Sequence, residues 1–322
     1  MKIRQEKQGE HNYMANQKVS VIIPTLNAGS ELEVLLQALL HQNKKADEII
    51  VIDSASDDGT PGLCAQYPAV KLLTIARQDF DHGGTRAMAF KHAIGDFVLF
   101  LTQDAVPADE HYIASLLAPF ADDKVALVSG RQCAKATARL SEKLTREFNY
   151  PAQSNVRSEE DIKRLGIKAF FASDVCSAYR KSAYDAVGGF AHPILTNEDM
   201  LIAASFLKAG YKIAYAHEAA VFHSHNFTLG QQFKRNFDVG IFLKLYAQHF
   251  GKVQVDGEGI KMVKWVGRQL LESKAYQDIL YYAAECMSKV LGNKLGKIYT
   301  QLPAGLVRQC SANKNYWQQL QK

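Results

Sequence analysis

Two short acidic segments contain the side chains best suited to chemistry. Thr102-Gln103-Asp104 closes the apolar run Phe97 to Leu101, and Asn197-Glu198-Asp199 opens a helical pattern. A carboxylate at the end of a buried strand is well placed to hold a divalent cation against a diphosphate. A separate carboxylate can act as a general base. Together with the strand signals described below, this division of labour predicts transfer of a sugar from a nucleotide diphosphate to an acceptor hydroxyl.

The first segment predicts a cation site. Mg²⁺ and Mn²⁺ prefer oxygen ligands, and they commonly take one or two carboxylates together with substrate phosphates and waters. Asp104 supplies one carboxylate, and Gln103 stands beside it on the donor side of the site. Because there is only one acid, we expect weak cation binding in the absence of nucleotide. The alternative is that Asp104 only holds a turn after the strand.

The second segment predicts a catalytic base. Glu198 and Asp199 follow Thr196 and Asn197 at a helix start, where the helix dipole stabilises ionised carboxylates. A base there is expected to stay charged at neutral pH and to accept the proton of the acceptor hydroxyl. The alternative is that two acids simply favour the first turn of a helix.

Two histidines alternate in an extended segment, Val221 to Asn226. His223 and His225 therefore lie on the same side of the chain. Either imidazole could contact the metal or the diphosphate. An exposed structural histidine is the alternative at each position.

The ends of the first two strands indicate a nucleotide site. The first strand ends in Pro24-Thr25-Leu26-Asn27, and the chain contains no GxGxxG, which disfavours a nicotinamide cofactor. Asp53, at the end of the second strand, could accept a hydrogen bond from the imide nitrogen of uracil or thymine, with Thr25 and Asn27 along the neighbouring edge. The alternative is that Asp53 caps a turn through Ser56.

A Gly-Gly pair precedes the next predicted helix, in the segment Gln78 to Arg86. Backbone N–H groups near His82 and Gly83, together with the Arg86 guanidinium, could meet a phosphate there. The alternative is an ordinary Gly-Gly turn.

Strands and helices alternate along the chain up to about residue 250. The predicted strands are Lys18 to Thr25, Asp47 to Asp53, Val70 to Ile75, Asp96 to Leu101, Val125 to Gly130, Phe170 to Arg180 and Tyr211 to Phe222. The predicted helices are Glu31 to His41 behind a Ser30 cap, Thr85 to Ile94, Ala138 to Tyr150 and Glu198 to Ala209. Short connections predict an α/β fold whose mainly parallel sheet is covered by helices on both faces. Active residues should then lie beyond the carboxyl ends of the strands.

Composition divides the chain into three parts. With 322 residues, 47% of them hydrophobic, a substantial core is expected. We predict a flexible lead-in at 1–18, a catalytic domain at 19–250 and a basic, mostly helical region at 251–322. Five scattered cysteines without CxxC spacing fit reduced thiols in a cytosolic protein. No apolar run reaches the roughly 20 residues that span a bilayer.

The basic C-terminal region predicts contact with a membrane surface. From Ile260 to Lys322 there are ten Lys or Arg against three acidic residues. Apolar and aromatic residues are interspersed among them, as expected of helices resting on an anionic membrane. The alternative is a helical subdomain that packs on the catalytic domain, and its aromatic helices would also permit a homodimer. A nucleic-acid-binding protein is disfavoured, because the positive charge is confined to one end and no recognised binding module is present.

Six segments resemble family 2 glycosyltransferases of the GT-A fold, and more narrowly bacterial rhamnosyltransferases of surface-polysaccharide assembly. They are VSVIIPTLN (19–27), EIIVIDSASDDGT (48–60), FDHGGTR (80–86), FLTQDAVP (100–107), NEDM (197–200) and VFHSHNFT (221–228). The resemblance implies that Asp53 binds the base, that Asp104 binds metal and diphosphate, and that Asp199 is the base with Glu198 in support. It also implies a saccharide or lipid-linked acceptor and a place at the inner face of the cell membrane.

The segments also depart from the family pattern. Thr102 stands where the DxD motif has its first acid, and Asp81 stands where asparagine is expected. Within the family, HGGTR and TQDA favour a rhamnose donor, which implies dTDP-L-rhamnose. A transferase that uses a UDP-sugar is the nearest alternative, and a catalytically inactive scaffold is a third.

Overall fold

A single sheet of nine strands organises the part of the chain that the structure describes. The structure is a computed structural model, and it describes residues 17–251 and 257–320. The strands are β1 Val19–Thr25, β2 Glu48–Asp53, β3 Val70–Thr74, β4 Phe97–Leu101, β5 Val106–Pro107, β6 Val125–Cys133, β7 Asn155–Arg157, β8 Cys176–Arg180 and β9 Lys212–Phe222.

Helices cover the sheet and make up most of the C-terminal part. Up to residue 250 they are α1 Gly29–Leu40, α2 Thr60–Cys64, α3 His82–His92, α4 Tyr112–Leu117, α5 Leu140–Asn149, α6 Ile162–Leu165, α7 Lys181–Ala186, α8 Glu198–Lys208, α9 Leu229–Leu245 and α10 Ala247–Phe250. Beyond residue 256 they are α11 Gly257–Glu272, α12 Tyr276–Lys297, α13 Ala304–Cys310 and α14 Lys314–Gln319. Short 3₁₀ turns occupy Arg77–Asp79, Ala118–Ala121, Glu159–Asp161, Gly166–Phe170 and Tyr299–Gln301.

The strand order is β3-β2-β1-β4-β8-β6-β9-β5, with β7 beside β9. Strands β3, β2, β1 and β4 are parallel, and β9 is parallel to β6. Strand β8 runs antiparallel to both of its neighbours. The predicted α/β fold is confirmed, and the carboxyl ends of β1, β2, β4, β6 and β9 all meet at one edge of the sheet.

Alternation along β1 divides the core into two layers. Val21 and Ile23 face one layer, where they pack with the apolar face of α1. Ile22 faces the other layer, with Phe90 of α3 and Phe206 of α8. Both faces of a central parallel strand are covered by helices, so six of the seven residues of β1 are buried, four of them apolar.

Three local predictions differ from the structure. Helix α1 begins at Gly29 with Ala28 at its N-cap, so Ser30 lies inside the helix and does not cap it. The Gly-Gly pair lies within the first turn of α3, because Asp81 caps that helix by accepting a hydrogen bond from the N–H of Gly84. Strand β8 begins only at Cys176, because a 3₁₀ turn occupies 166–170.

Helix α12 of the C-terminal part packs closely on α9 through glycines. A Cβ at Gly292 of α12 would lie 2.3 Å from the carbonyl oxygen of Phe233 in α9, and one at Gly240 of α9 would lie 2.3 Å from that of Asn293. Only glycines allow the backbones of α9 and α12 to approach so closely. The mostly helical C-terminal extension is confirmed. The boundary near 250 stays a prediction, and most of the proposed lead-in, residues 1–16, lies outside the described residues. Within 17–251 and 257–320, no helix combines the length and apolarity that a bilayer span requires.

Candidate active site

The ends of β1 and β2 are joined by a buried carboxylate. Asp53 is fully buried, and its Oδ1 accepts hydrogen bonds from Thr25 Oγ1 at 3.2 Å and Ser56 Oγ at 2.5 Å. Its Oδ2 accepts one from the N–H of Ser56 at 2.9 Å. The turn-capping role is therefore present in the structure. A hydrogen bond from Asp53 to a nucleotide base stays a prediction.

Hydrogen bonds between side chains and the main chain fix the loop that follows β1. The side chain of Gln103 accepts a hydrogen bond from the N–H of Leu26 at 2.9 Å and donates one to its carbonyl oxygen at 3.3 Å. Asn27 has a φ of +50°, and its Oδ1 accepts the N–H of Asp57 at 3.0 Å. Pro24 is half-buried inside β1, opposite Ile52. Gln103 thus positions the loop that follows β1.

Asp104, His223 and His225 converge on one point. Asp104 is 6% exposed, and its Oδ2 lies 3.4 Å from His223 Nε2 and 3.2 Å from His225 Nε2. The two Nε2 atoms are 3.1 Å apart. Asp104 Oδ2 is buried and has no hydrogen-bond partner among the described residues. One carboxylate oxygen and two imidazole nitrogens within 4.8 Å of one another can serve as three ligands to a cation.

The histidines are in the form that a metal requires. Burial lowers the pKa of His223 to about 3 and also lowers that of His225, against the opposing effect of Asp104. His223 Nδ1 lies 3.0 Å from Gln132 Oε1, which can only accept, so the proton sits on Nδ1 and the lone pair of Nε2 faces Asp104. An outer hydrogen bond of this kind commonly orients a ligating imidazole. The residues present therefore fit a divalent cation.

A lysine also reaches this cluster. Lys135 Nζ lies 3.9 Å from Asp104 Oδ2 and 3.5 Å from Glu31 Oε1, and its side chain is 30% exposed. An ammonium at this position could contact an anion that binds beside Asp104. Lys135 was not among the predicted site residues.

Two carboxylates share one buried guanidinium beside the start of α8, and a third carboxyl group lies next to them. Arg86 Nη1 lies 3.0 Å from Glu198 Oε1, and Arg86 Nε lies 3.5 Å from Asp174 Oδ2. Asp199 Oδ2 accepts the N–H of Asp174 at 3.1 Å. Asp174 Oδ1 also accepts hydrogen bonds from the hydroxyls of Ser177 and Tyr179. Arg86 thus binds two carboxylates, and a contact between its guanidinium and a phosphate stays a prediction.

This crowding raises the carboxyl pKa values. Burial, followed by the charges of Glu198 and Asp174, raises the pKa of Asp199 well above its ordinary value. Burial also raises the pKa of Asp174 to about 6, against the opposing effect of Arg86. The expectation that Asp199 stays charged at neutral pH stays a prediction, and desolvation and like charges act against the helix dipole on which it rests. Asp199 is only half-buried, whereas Glu198 is buried against Arg86.

The Gly-Gly segment is a packing contact beside this cluster. A Cβ at Gly83 would lie 2.1 Å from the carbonyl oxygen of Ala191, and Asp81 Oδ2 accepts the N–H of Ile194 at 2.9 Å. His82 Nδ1 lies 4.0 Å from Glu198 Oε1, and burial lowers the pKa of His82 to about 4, so this imidazole is neutral. The segment fixes the loop that precedes α8.

Hydrogen bonds connect the two clusters. Gln132 Nε2 donates to Ser173 Oγ at 2.9 Å, while Gln132 Oε1 lies beside His223. Ser173 is followed directly by Asp174, whose N–H binds Asp199. The residues of the two acidic segments therefore belong to one connected site.

The positions of Asp174 and Gln132 at the edge of the sheet could have been predicted from the directions of the neighbouring strands. Asp174 precedes β8, which pairs antiparallel with β4, and the N–H of Thr102 donates to Val175 O at 3.1 Å. The start of an antiparallel strand lies beside the end of its neighbour, so Asp174 falls at the active edge. Gln132 lies at the end of β6, which extends to Cys133, beyond the predicted end at Gly130.

Comparison with known proteins agrees with this geometry. The family model described as glycosyl transferase family 2 matches residues 20–188. The chain is 39% identical over 308 residues to the O-antigen chain rhamnosyltransferase RfbN of Salmonella typhimurium, a match that covers 94% of this chain and 97% of that protein. It is 38% identical over 307 residues to the O-antigen chain rhamnosyltransferase WbaN of Salmonella anatum, with 94% and 96% covered.

Solved structures share the fold. The mannosyltransferase PcManGT from Pyrobaculum calidifontis, in complex with GDP-Man and Mn²⁺, matches with a TM-score of 0.61 and 16% identity, over 89% of this chain and 88% of that one. S. aureus TarS 1–349, in complex with UDP-GlcNAc, matches with a TM-score of 0.52 and 16% identity, over 88% and 92%. The family match, the two relatives and the strand-end site lead to one conclusion: the chain belongs to glycosyl transferase family 2 and is a glycosyltransferase of the GT-A fold.

Proposed function

We propose that this chain transfers L-rhamnose from dTDP-L-rhamnose to a hydroxyl of a saccharide or lipid-linked saccharide acceptor during synthesis of a cell-surface polysaccharide. The observation that carries the proposal is the 39% identity to an O-antigen chain rhamnosyltransferase over 97% of that protein's length. Because the alignment covers 94% of this chain, it includes the C-terminal helices as well as the strands that carry the predicted nucleotide site.

In this proposal Asp199 is the catalytic base. Glu198 is bound by Arg86, whereas Asp199 is half-buried and accepts hydrogen bonds from the N–H groups of Asp174 and Met200. A raised pKa makes Asp199 a stronger base once it is deprotonated. Its carboxylate takes the proton of the acceptor hydroxyl as the acceptor oxygen bonds to the anomeric carbon. The bond to the diphosphate oxygen breaks in the same step, so the anomeric configuration inverts.

Asp104, His223 and His225 would hold the divalent cation of the reaction. Mg²⁺ strongly prefers oxygen ligands, whereas imidazole suits transition metals, so one carboxylate with two imidazoles fits Mn²⁺ better than Mg²⁺. When bound, the cation neutralises negative charge on the departing diphosphate. Lys135 adds a second positive charge on the same side.

The nucleotide would lie across the ends of β1 and β2. Asp53 orders the turn at Ser56 and the end of β1 at Thr25, and Asn27 lies at the exposed rim. The same loop geometry suits thymine and uracil, which share the imide edge. A UDP-sugar donor is therefore the nearest rival.

The C-terminal helices would rest on the inner face of the cell membrane. Apolar residues at helical spacing share one exposed face of α12: Tyr276, Leu280, Met287 and Leu291. Lys261, Lys264 and Arg268 are exposed on α11, which supplies cations for anionic headgroups. Sedimentation with anionic vesicles should weaken as salt rises. Salt-independent binding would remove the electrostatic explanation, and a doubled mass in light scattering would assign the α12 face to a homodimer.

A donor panel tests the proposed function. The chain is incubated with Mn²⁺ and with dTDP-rhamnose, UDP-galactose or UDP-N-acetylhexosamines, and its protection from thermal unfolding and its release of nucleoside diphosphate are measured. We expect the largest protection and the fastest release with dTDP-rhamnose. Preference for a UDP-sugar would overturn the donor assignment and leave family membership intact.

A further inference from the structure

A cleft of about 610 Å³ opens beside the start of α8, and of the predicted donor residues only His82 lines it. Thr196 and Asn197, which immediately precede Glu198, form one side. His82 lines the same cleft, and its Nδ1 is 4.0 Å from Glu198 Oε1. The cleft therefore adjoins the carboxylates at which the acceptor must be deprotonated.

The opposite wall comes from α9 and from the end of the chain. Asp238 Oδ2 accepts the N–H groups of Ala312 at 2.9 Å and Asn313 at 3.2 Å. Asn313 Nδ2 in turn donates to Leu195 O at 3.1 Å, and Asn315 Nδ2 donates to Arg77 O at 2.8 Å. These bonds tie the segment 312–315 to three separate parts of the fold, so the wall has a fixed shape.

The polar groups of the wall match the hydroxyls of a neutral sugar. Four amide side chains line the two sides of the cleft: Asn197, Asn236, Asn313 and Asn315. Asp238 is 3% exposed, and its Oδ1 is buried without a hydrogen-bond partner among the described residues. Amides both donate and accept, as adjacent sugar hydroxyls do, and a carboxylate can accept from a hydroxyl pair. Phe80 adds an apolar surface for the face of a ring.

Charge and size narrow the class of ligand. Arg235 and Lys314 are the cationic residues among the lining side chains, and Asp238 opposes them, so the cleft has no strong excess of either sign. Its volume lies within the range of about 300–1,000 Å³ that is typical of small-molecule sites. A short, uncharged oligosaccharide fits these properties better than an anion does.

We propose that this cleft is the acceptor site, and that it binds the terminal sugars of a neutral saccharide so that one hydroxyl reaches Asp199. This inference rests on the proposed function, because it names the second substrate of the same reaction. It also gives the C-terminal segment 312–315 a direct part in acceptor recognition.

A bulky residue in the cleft tests this assignment. Ala312 is exposed and lines the cleft, so Ala312→Trp should obstruct the acceptor without touching Asp104 or Asp199. Gln318→Trp is the matched control, because Gln318 is exposed on α14 and does not line this cleft. The probes are neutral hexose mono-, di- and trisaccharides that carry a fluorescent aglycone, with dTDP-rhamnose as donor.

We expect Ala312→Trp to lower kcat/KM for the best saccharide probe at least tenfold, while donor affinity by calorimetry and slow donor hydrolysis by water stay within twofold. Gln318→Trp should match the unaltered chain in kcat/KM, in donor affinity and in donor hydrolysis. Asn236→Ala, which removes one amide, should lower kcat/KM about three- to tenfold, as expected for a lost hydrogen bond.

Other outcomes distinguish failure of the acceptor cleft from failure of the proposed function. Normal transfer by Ala312→Trp, or loss of donor binding in that variant, would overturn the acceptor cleft while the proposed function stands. If the unaltered chain neither hydrolyses nor transfers from any donor of the panel, the proposed function fails, and the acceptor cleft fails with it.

Discussion

Arg86 Nη1 lies 3.0 Å from Glu198 Oε1, with both side chains buried. The same guanidinium lies 3.5 Å from Asp174 Oδ2. One cation thus serves two carboxylates directly, and the neighbouring Asp199 is left to a pair of backbone N–H groups. Arg86 therefore holds Glu198 in place, whereas the carboxylate of Asp199 can exchange a proton.

Removing the guanidinium should destabilise the protein. Arg86→Met leaves Glu198 and Asp174 buried without a countercharge, and breaking a buried pair in this way costs about 3–5 kcal/mol. Chemical denaturation at pH 7 measures the free energy of unfolding. Arg77→Met is the control, because the ion pair of Arg77 with Asp57 is exposed and is worth about 0–1 kcal/mol. Equal losses in the two variants would contradict the buried network.

The charge of Asp174 should set the pH at which the enzyme becomes active. A base works when it is deprotonated, so kcat/KM should fall as pH drops through the raised pKa of Asp199. Asp174→Asn removes a negative neighbour and thereby lowers that pKa. The acid limb of the kcat/KM profile should therefore move to lower pH. An unmoved limb, or one displaced to higher pH, would contradict this arrangement; exposed Asp185→Asn is the control.

The carboxylate–imidazole cluster should bind Mn²⁺. Asp104→Asn and His225→Gln should each weaken Mn²⁺ binding at least tenfold when it is measured by calorimetry with dTDP present, because each removes a ligand. His111→Gln, on an exposed histidine away from the cluster, should leave the affinity unchanged. Full transfer activity in excess EDTA would show that the reaction needs no cation. Lys135 would then be the cationic group nearest Asp104 that remains to meet the diphosphate.

The glycine contact between α9 and α12 should be sensitive to a single methyl group. Gly292→Ala places a Cβ 2.3 Å from Phe233 O, and overpacking of this kind costs about 1–3 kcal/mol. Gly267→Ala on α11 meets no atom within 4 Å, and should be neutral or stabilising by about 0.5–1 kcal/mol. Thermal unfolding of the two variants distinguishes them. If Gly292→Ala is as stable as Gly267→Ala, the close helix contact is wrong.

The parts of the site that could be predicted from the sequence are those that follow strand ends. Asp104 follows an apolar strand, and His223 and His225 alternate after another, so their convergence follows from the parallel edge. Arg86 could not be placed in this way, and neither could its pairing with Asp174. Their pairing depends on the antiparallel insertion of β8 and on the close packing of Gly83, neither of which has a local sequence signal.

The pKa of Asp199 likewise could not be predicted from the local sequence. A helix start predicts an ionised carboxylate, but the outcome depends on two further carboxyl groups, Glu198 and Asp174, and on burial. Only Glu198 is a neighbour along the chain. The charge state of a base is thus a property of the assembled site.

Acceptor-dependent release of dTDP by Asp199→Asn, measured beside donor affinity by calorimetry, tests the central claim most directly. The account predicts that transfer falls by about 10²- to 10⁴-fold, the usual contribution of a general base, while the Kd for dTDP-rhamnose stays within twofold. Asp185→Asn should behave as the unaltered chain. Transfer by Asp199→Asn at more than about a tenth of the normal rate would contradict the assignment of Asp199 as the base.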